Sequence, residues 1–137
     1  MGGIRIQVKL TTAVNEALAW RGQMPPEQVR TYVAHAMVDT GAVRSVIPVH
    51  VLQQLGIDLR GRRVAEYTDG RQDVVGVTEP VVFELVDRDT LEEALILDDE
   101  VLIGQTVLAK LDLLADAQGR RLIPNPAHPD QPVTKVK

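Results

Sequence analysis

The feature that most constrains the fold is a succession of short apolar segments separated by turn residues. Residues 4–10 alternate apolar and polar side chains without a break, and this period of two predicts a half-buried strand. Asp69-Gly70 separates the apolar segments 64–68 and 74–77, which is a strong hairpin signal. Further strands are predicted at residues 29–38, 81–86, 91–97, 101–103, 113–115 and 121–123. The chain is therefore predicted to be mainly β.

Two short segments carry helical signals. In residues 45–56, Pro48 suits a first helical position and Gly56 a C-terminal cap. Beyond Gly104, apolar residues recur at helical spacing through Leu111. Residues 14–20 are predicted to form a helical turn. Residues 87–90 are predicted to form a turn that connects two strands. The fold is thus expected to contain two short helices.

Composition narrows the class of protein. The 137 residues are 45% apolar and 25% charged, which fits one folded domain, residues 1–137, with a core at about 4–124 and a Pro-rich arm at 125–137. The net charge of −4 gives no reason to expect nucleic acid as a partner. No cysteine is available for a disulfide or a thiolate metal site. With no signal peptide or apolar span, we expect a cytoplasmic protein that does not enter a membrane.

Asp39-Thr40-Gly41 stands out because it interrupts an apolar segment. The flanking residues 36–38 and 46–47 are apolar, and burying a carboxylate is costly unless it is paired or hydrogen-bonded. Gly41 permits backbone geometries that are closed to other residues. The motif is therefore either a carboxylate held in a rigid, partly buried turn or an Asp that only caps a turn after a strand.

Three features, in order along the chain, resemble the retropepsin-like aspartic proteases, in particular the small bacterial type with one such motif per chain. The first is Val38-Asp39-Thr40-Gly41-Ala42, with Ser45-Val46-Ile47-Pro48 behind it. The second is the Asp69-Gly70 hairpin, where that family has its mobile flap, and the third is Leu102-Ile103-Gly104 with the helix that follows. The resemblance covers about residues 29–124. It implies an acid protease half-barrel that is closed by homodimerisation.

The resemblance also implies roles for individual residues. Asp39 would be the catalytic carboxylate, and Thr40 would brace the same turn of a partner subunit. Gly41 and Ala42 would let the substrate backbone approach closely. The flap would comprise four residues: Tyr67, Thr68, Asp69 and Gly70. Thr106 departs from the family pattern, because it stands two residues after Gly104, where many members of that family carry an acidic residue.

The implied reaction needs two carboxylates. Held about 3 Å apart, two carboxylates cannot both ionise, so they share one proton while one activates water and the other protonates the amide. This chain contains one Asp-Thr-Gly, and a two-fold axis would place Asp39 opposite its own copy. The resemblance thus implies an aspartic endopeptidase that acts as a homodimer on peptide or protein substrates, without a metal or other cofactor.

Other chemistries fit the sequence less well. The three histidines, His35, His50 and His128, lack the spacing of a metal site, and Ser45 has no nucleophile-elbow pattern. The alternative that stays open is a catalytically silent retropepsin-like module that dimerises or binds a peptide by strand addition. Fold alone does not decide between these two functions.

Overall fold

The structure, a computed structural model, describes residues 3–137. Its strands are β1 (Ile4–Thr12), β2 (Thr31–Val38), β3 (Val46–Ile47), β4 (Leu59–Glu66), β5 (Gln72–Thr78), β6 (Val81–Leu85), β7 (Arg88–Glu92), β8 (Leu95–Ile96), β9 (Leu102–Ile103), β10 (Leu113–Asp116) and β11 (Arg121–Pro124). Its helices are α1 (Ala13–Trp20), α2 (Val49–Leu55) and α3 (Gln105–Leu111), with a 3-10 turn at Pro26–Gln28. Over the described range, no helix has the length and apolar character needed to cross a membrane.

Nine strands form one curled sheet in the order β4-β5-β8-β3-β9-β2-β1-β6-β7, and β10 pairs with β11 in a separate hairpin. The alternation that predicted β1 is confirmed, since Val8 and Leu10 are fully buried while Gln7 and Lys9 are exposed. Burying one such leucine contributes about 2 kcal/mol. The mainly β prediction is therefore confirmed, and the pattern of one strand fixes which face meets the core.

One buried apolar cluster joins the sheet to α2 and α3. The single Phe, Phe83 on β6, is fully buried, as are Val51 and Leu55 of α2. From α3 the cluster takes Val107, Leu108 and Leu111. The two helices therefore pack their apolar sides onto the sheet, and α3 carries this packing up to the end of β9.

The helices differ from the prediction in number and extent. Residues 14–20 lie in a complete helix, α1, so the described chain contains three α-helices where the sequence predicts two. The predicted helix 45–56 begins only at Val49, because residues 46 and 47 pair with β8 and β9 as strand β3. Gly56 ends α2 with a φ of 66°, as expected for a C-terminal cap.

The connection predicted at residues 87–90 is shorter than expected. Val86 and Asp87 both have left-handed φ angles, 53° and 58°, so they form a two-residue turn that suits the twist of a hairpin. Arg88 already belongs to β7. The predicted strand 91–97 is also interrupted, because β7 ends at Glu92 and the chain crosses to pair as β8 with β3 and β5.

Strand β9 determines where the Asp-Thr-Gly segment lies. It runs parallel to β2, with Val38 opposite Ile103, and antiparallel to β3, with Val46 opposite Leu102. The chain between β2 and β3 must therefore pass over the end of β9. That connection is residues 39–45, and it contains the whole motif.

The segment after β11 is attached to the end of α3. The Asn125 N–H donates to the Asp112 carbonyl at 3.0 Å, and the Asp112 carboxylate accepts the Val133 N–H at 3.1 Å. The buried Arg88 guanidinium donates to the Leu111 and Asp112 carbonyls, both at 2.9 Å, and to the His128 carbonyl at 3.0 Å. Residues 125–133 are thus held by the same side chains that fix the end of α3.

Candidate active site

The candidate active site is the turn that leaves β2, residues 39–42. The Asp39 N–H donates to the Ile103 carbonyl at 2.9 Å, which continues the pairing of β2 with β9. The Ala42 N–H donates back to the Asp39 carbonyl at 3.1 Å and closes the turn. The half-buried Asp39 carboxylate accepts the Gly41 N–H through Oδ1 at 3.0 Å. The carboxylate is thus oriented by the turn that it begins.

Thr40 and Gly41 form the exposed tip of this turn. A Cβ at Gly41 would lie 3.3 Å from Asp39 Oδ1, close enough to disturb the carboxylate. No hydrogen bond within residues 3–137 uses the Thr40 hydroxyl. The structure therefore brings Asp39, Thr40, Gly41 and Ala42 together as one compact turn whose tip faces outward.

Helix α3 holds the turn from the opposite side. The Gln105 N–H donates to the Ala42 carbonyl at 2.8 Å, and the Thr106 N–H donates to the Val43 carbonyl at 3.0 Å. The Gln105 side-chain amide also donates to the Thr40 carbonyl. The first N–H groups of a helix have no partner within the helix, so the carbonyls of the turn satisfy them. The turn and α3 are therefore fixed relative to each other.

Gly104 allows the closest approach in this region. A Cβ on Gly104 would lie 2.6 Å from the carbonyl carbon and oxygen of Arg44, so only glycine fits there without moving backbone. The Gly104 N–H donates at 2.9 Å to Oγ of Ser45, which is fully buried. The sequence analysis placed Ser45 in the segment behind the motif and judged it a poor nucleophile, but it did not predict that its hydroxyl is a structural acceptor. The available signal was a polar residue directly before the apolar pair Val46-Ile47.

The predicted Asp69-Gly70 hairpin is confirmed. Strands β4 and β5 pair antiparallel from Glu66 opposite Gln72 onward, and Gly70 has a φ of 87°. The Gly70 N–H donates to the Tyr67 carbonyl at 2.9 Å, which closes the turn. No atom would touch a Cβ on Gly70 within 4 Å, so the requirement for glycine here is conformational and not steric.

The side chains at this hairpin tip interact mainly with one another. Arg71 Nε donates to Asp69 Oδ2 at 2.8 Å, and the Arg71 guanidinium lies 5.0 Å from the centre of the Tyr67 ring. The Tyr67 hydroxyl donates to Asp73 Oδ2 at 3.4 Å. Loss of solvent contact, followed by the nearby Asp73 carboxylate, raises the pKa of Tyr67 above its ordinary value of 10.0. Thr68 is exposed.

The two groups of predicted site residues are not linked directly. Within the described residues, no hydrogen bond or ion pair joins the hairpin tip 67–70 to the turn 39–42. Strand β4 is exposed along nearly its full length and has β5 as its neighbour in the sheet. The hairpin therefore extends from the sheet margin, and its tip is held by its own local contacts.

A charged group beside the turn was missed by the sequence analysis. Arg44 follows the motif and donates through Nη2 to the Glu93 carbonyl at 2.6 Å. The buried carboxylate of Glu92 lies 3.8 Å from Arg44 Nε and accepts the Thr106 hydroxyl at 2.7 Å. Thr106 thus binds an acidic side chain supplied by β7.

The histidines lie apart from this site. His35 is exposed on β2, His50 of α2 lies edge-on to the Tyr32 ring at 6.4 Å, and His128 Nδ1 lies 2.6 Å from Asp112 Oδ2. In the part of the chain that the structure describes, no three His, Asp or Glu side chains converge in a way that could hold a metal ion.

The comparisons with known proteins concern the fold. No family model matches the sequence, and no curated protein matches it. The structure is similar to the retroviral protease-like domain of Ddi1 from Leishmania major, with a TM-score of 0.52 and 17% identity over 92% of this chain and 91% of that chain. It is also similar to the protease of Simian Foamy Virus (mac), with a TM-score of 0.48 and 14% identity over 76% of this chain and 90% of that chain. The first likeness shows that the predicted retropepsin-like fold is correct.

Proposed function

We propose that this chain is an aspartic endopeptidase of the small single-domain retropepsin type, and that two copies form the active unit. The observation that carries the proposal is the Asp39 carboxylate, which the Gly41 N–H orients on an exposed turn anchored to β9 and α3. Such a turn offers an oriented acidic group to a neighbouring surface. Each chain has one Asp-Thr-Gly, so a second copy is the simplest source of the second carboxylate.

In the proposed dimer, the two Asp39 carboxyl groups share one proton across the two-fold axis. The ionised group takes a proton from a water molecule, whose oxygen attacks the carbonyl carbon of the peptide bond. The protonated group donates its proton to the carbonyl oxygen, which gives a neutral tetrahedral intermediate. The carboxyl group that took the water proton then donates it to the amide nitrogen, and one hydroxyl of the intermediate returns its proton to the ionised carboxylate. The C–N bond breaks as the carbonyl re-forms, which releases a carboxylic acid and an amine and leaves one shared proton on the pair. One carboxyl must be protonated at the start, so the reaction favours acidic to mildly acidic pH.

The remaining predicted site residues take supporting roles in this proposal. The Thr40 hydroxyl, which is exposed and has no hydrogen bond within residues 3–137, is free to bind the turn of the second copy. Gly41 and Ala42 leave room for an extended substrate backbone. The hairpin tip 67–70 closes over that backbone and excludes water. Peptide or protein segments in extended conformation are therefore the proposed substrates.

Substitution of Asp39 by Asn tests the proposal. Asn keeps an oxygen that can accept the Gly41 N–H, so the turn should survive, while peptide cleavage should fall by about a thousandfold or more, as loss of a catalytic group commonly causes. Cleavage is measured by mass spectrometry on a peptide library at several pH values. Asp130→Asn removes the same charge from the exposed arm and should cleave normally. Equal cleavage by Asp39→Asn and the parent would assign the chemistry elsewhere.

Mixing the parent with Asp39→Asn tests the shared site. If each site needs two copies of Asp39, activity should fall with the square of the parent fraction once subunits have exchanged. Sedimentation at several concentrations establishes the dimer independently. A linear fall in activity, or a chain that cleaves peptides as a monomer, would contradict the two-chain mechanism.

A silent peptide-binding module is the second candidate, because β4 offers a long exposed edge at the margin of the sheet. An extended peptide could add to this edge by main-chain hydrogen bonds without being cut. Binding of a peptide by both the parent and Asp39→Asn, with no cleavage by the parent at any pH, would favour this function.

A further inference from the structure

Glu92 is a buried carboxylate at the end of β7. Its side chain is 5% exposed, and a carboxylate removed from water destabilises a fold unless hydrogen bonds and opposite charges compensate. The hydroxyl of Thr106 donates to Oε2 at 2.7 Å, and Lys110 Nζ lies 3.2 Å from Oε1. Arg44 Nε lies 3.8 Å from Oε2. Glu92 therefore joins donors from two separate segments, residue 44 and helix α3.

Two of these three residues, Arg44 and Thr106, connect Glu92 to the candidate active-site turn. Arg44 lies two residues after Ala42 in sequence, and its carbonyl is the group against which Gly104 packs. The Thr106 N–H donates to the Val43 carbonyl at 3.0 Å. Lys110 also donates to the Leu91 carbonyl at 3.0 Å, which attaches α3 to β7. The Glu92 carboxylate thus forms an ion pair with the chain that leaves the turn and accepts a hydrogen bond from the helix that supports it.

We propose that Glu92 is a positioning residue: its carboxylate holds Arg44 and α3 together and so fixes residues 39–43. The proposal rests on the proposed function, since positioning matters where Asp39 must meet a second carboxylate. The charges nearby are two cations, Arg44 and Lys110, and one further anion, Glu93, whose Oε1 lies 3.7 Å from Arg44 Nη2. Removing the charge of Glu92 leaves the half-buried Arg44 and the exposed Lys110 with one partly exposed carboxylate, that of Glu93.

Glu92→Gln tests the proposal with little change of volume. We expect kcat to fall by about ten- to a hundredfold, because small displacements of reacting groups carry penalties of this size, with KM within about twofold of the parent. Glu84→Gln on the paired strand β6 is the control, since Glu84 is exposed, and it should behave as the parent. Assays are run well below the melting temperature of every variant. If Glu92→Gln and Glu84→Gln have equal kcat, the proposal is wrong.

A relocated carboxylate separates positioning from general packing. Thr106 Oγ1 lies 2.7 Å from Glu92 Oε2, so a longer acidic side chain at 106 can bring a carboxylate to the same donors. Glu92→Thr should lose kcat, and the double variant Glu92→Thr with Thr106→Glu should recover most of the loss. No recovery in a double variant that folds normally would overturn the proposal.

Hydrogen exchange decides the matter independently of cleavage. In Glu92→Gln, the Gln105 and Thr106 amides, which donate to the Ala42 and Val43 carbonyls, should exchange about tenfold faster or more if α3 separates from the turn more easily. The Ala42 amide, which closes the turn, should also exchange faster if the turn is held less firmly. Amides of the distant β10–β11 hairpin should be unchanged. If the parent cleaves no peptide, the proposed function fails and this measurement still tests Glu92. Unchanged exchange at the three amides would reject the positioning role.

Discussion

The turn 39–42 and the hairpin tip 67–70 differ in where their hydrogen-bond partners lie. The turn is closed by two bonds to Asp39, but its carbonyls also accept N–H groups from α3 and the Asp39 N–H reaches β9, so it has partners that are distant in sequence. The hairpin tip is closed by bonds between Tyr67, Asp69, Gly70 and Arg71, all within a few residues of one another. The turn is anchored to elements that pack in the core, whereas the hairpin tip is an independent local structure.

This difference separates two requirements of the proposed function. A carboxylate that must meet its counterpart within a hydrogen-bond length needs a support that does not move. A segment that admits and encloses an extended peptide needs to open without unfolding the domain. The fold satisfies the first requirement with buried contacts at Gly104 and Ser45. It leaves the second to a hairpin whose edge strand β4 is exposed.

Gly104→Ala should have the largest effect on this comparison. The added Cβ would lie 2.6 Å from the Arg44 carbonyl carbon and oxygen, so backbone must move at the point where α3 meets the turn. We expect a loss of about 3 kcal/mol in the free energy of unfolding, with loss of any cleavage activity. Denaturant unfolding measures the first quantity directly.

Gly61→Ala is the matched control for Gly104→Ala. Gly61 lies on β4 with no atom within 4 Å of an added Cβ and without a left-handed φ. Its substitution should change stability by no more than about 0.5 kcal/mol. If the two alanine variants were equally stable, the turn 39–42 would not be more rigidly held than the hairpin tip 67–70.

The sequence predicted the elements whose signal is local. The alternation in residues 4–10 defined β1, and Asp69-Gly70 defined the hairpin because its left-handed φ is a property of one residue. The beginning of α2 was predicted too early because Val46 and Ile47 pair with β8, and Val46 also pairs with β9. Both of these strands come much later in the chain. Such long-range pairing leaves no mark on the segment itself.

In the candidate site, too, the sequence predicted what has a local signal and did not predict what depends on distant contacts. The sequence identified Asp39, Thr40, Gly41 and Ala42 as a unit, and the structure brings them together in one turn. Glu92 was not identified, because its acceptor role depends on Thr106, which is 14 residues away. Nothing near Glu92 in the sequence distinguishes it from an exposed glutamate such as Glu84.

Acid should weaken the attachment of residues 125–133 to the end of α3, because this attachment depends on the Asp112 carboxylate that follows the helix. Hydrogen bonds from the Asn125 side chain and the Val133 N–H, and the neighbouring His128, lower the pKa of Asp112 below its ordinary value of 3.8. A carboxyl group with a lowered folded-state pKa stabilises the fold fully above its ordinary pKa, and this contribution is lost as pH falls through the lower folded value. The attachment of residues 125–133 to α3 should therefore fail in strong acid.

Comparison of the parent with Asp112→Asn checks this pH dependence. Asn accepts the left-handed φ of 56° at this position, so the variant removes the charge without straining the backbone. The parent should be more stable at pH 7, and the difference should shrink as pH falls below 3.8. A difference that stays constant with pH would mean that the Asp112 charge does not hold the arm.

Apart from the Gly61→Ala control, Gly70→Val should have the smallest effect on global stability, and it is the most direct test of the hairpin. A β-branched residue resists the φ of 87° at Gly70, with a strain of about 1–2 kcal/mol. If the hairpin opens locally, opening relieves that strain, so the free energy of global unfolding should fall by less than this amount while cleavage falls more. Gly70→Asn, which tolerates a left-handed φ, is the control and should retain activity.

Amides from residue 67 to 75 should exchange quickly in the free parent and slow when a hydroxyl-containing, peptide-like inhibitor binds, because closure over the inhibitor adds backbone hydrogen bonds. The amides of Gln105 and Thr106, which are bonded to the turn, should be protected in both states. Equal protection of residues 67–75 with and without inhibitor would show that this hairpin is not a substrate flap, and the contrast between a fixed turn and a mobile tip would then have no catalytic meaning.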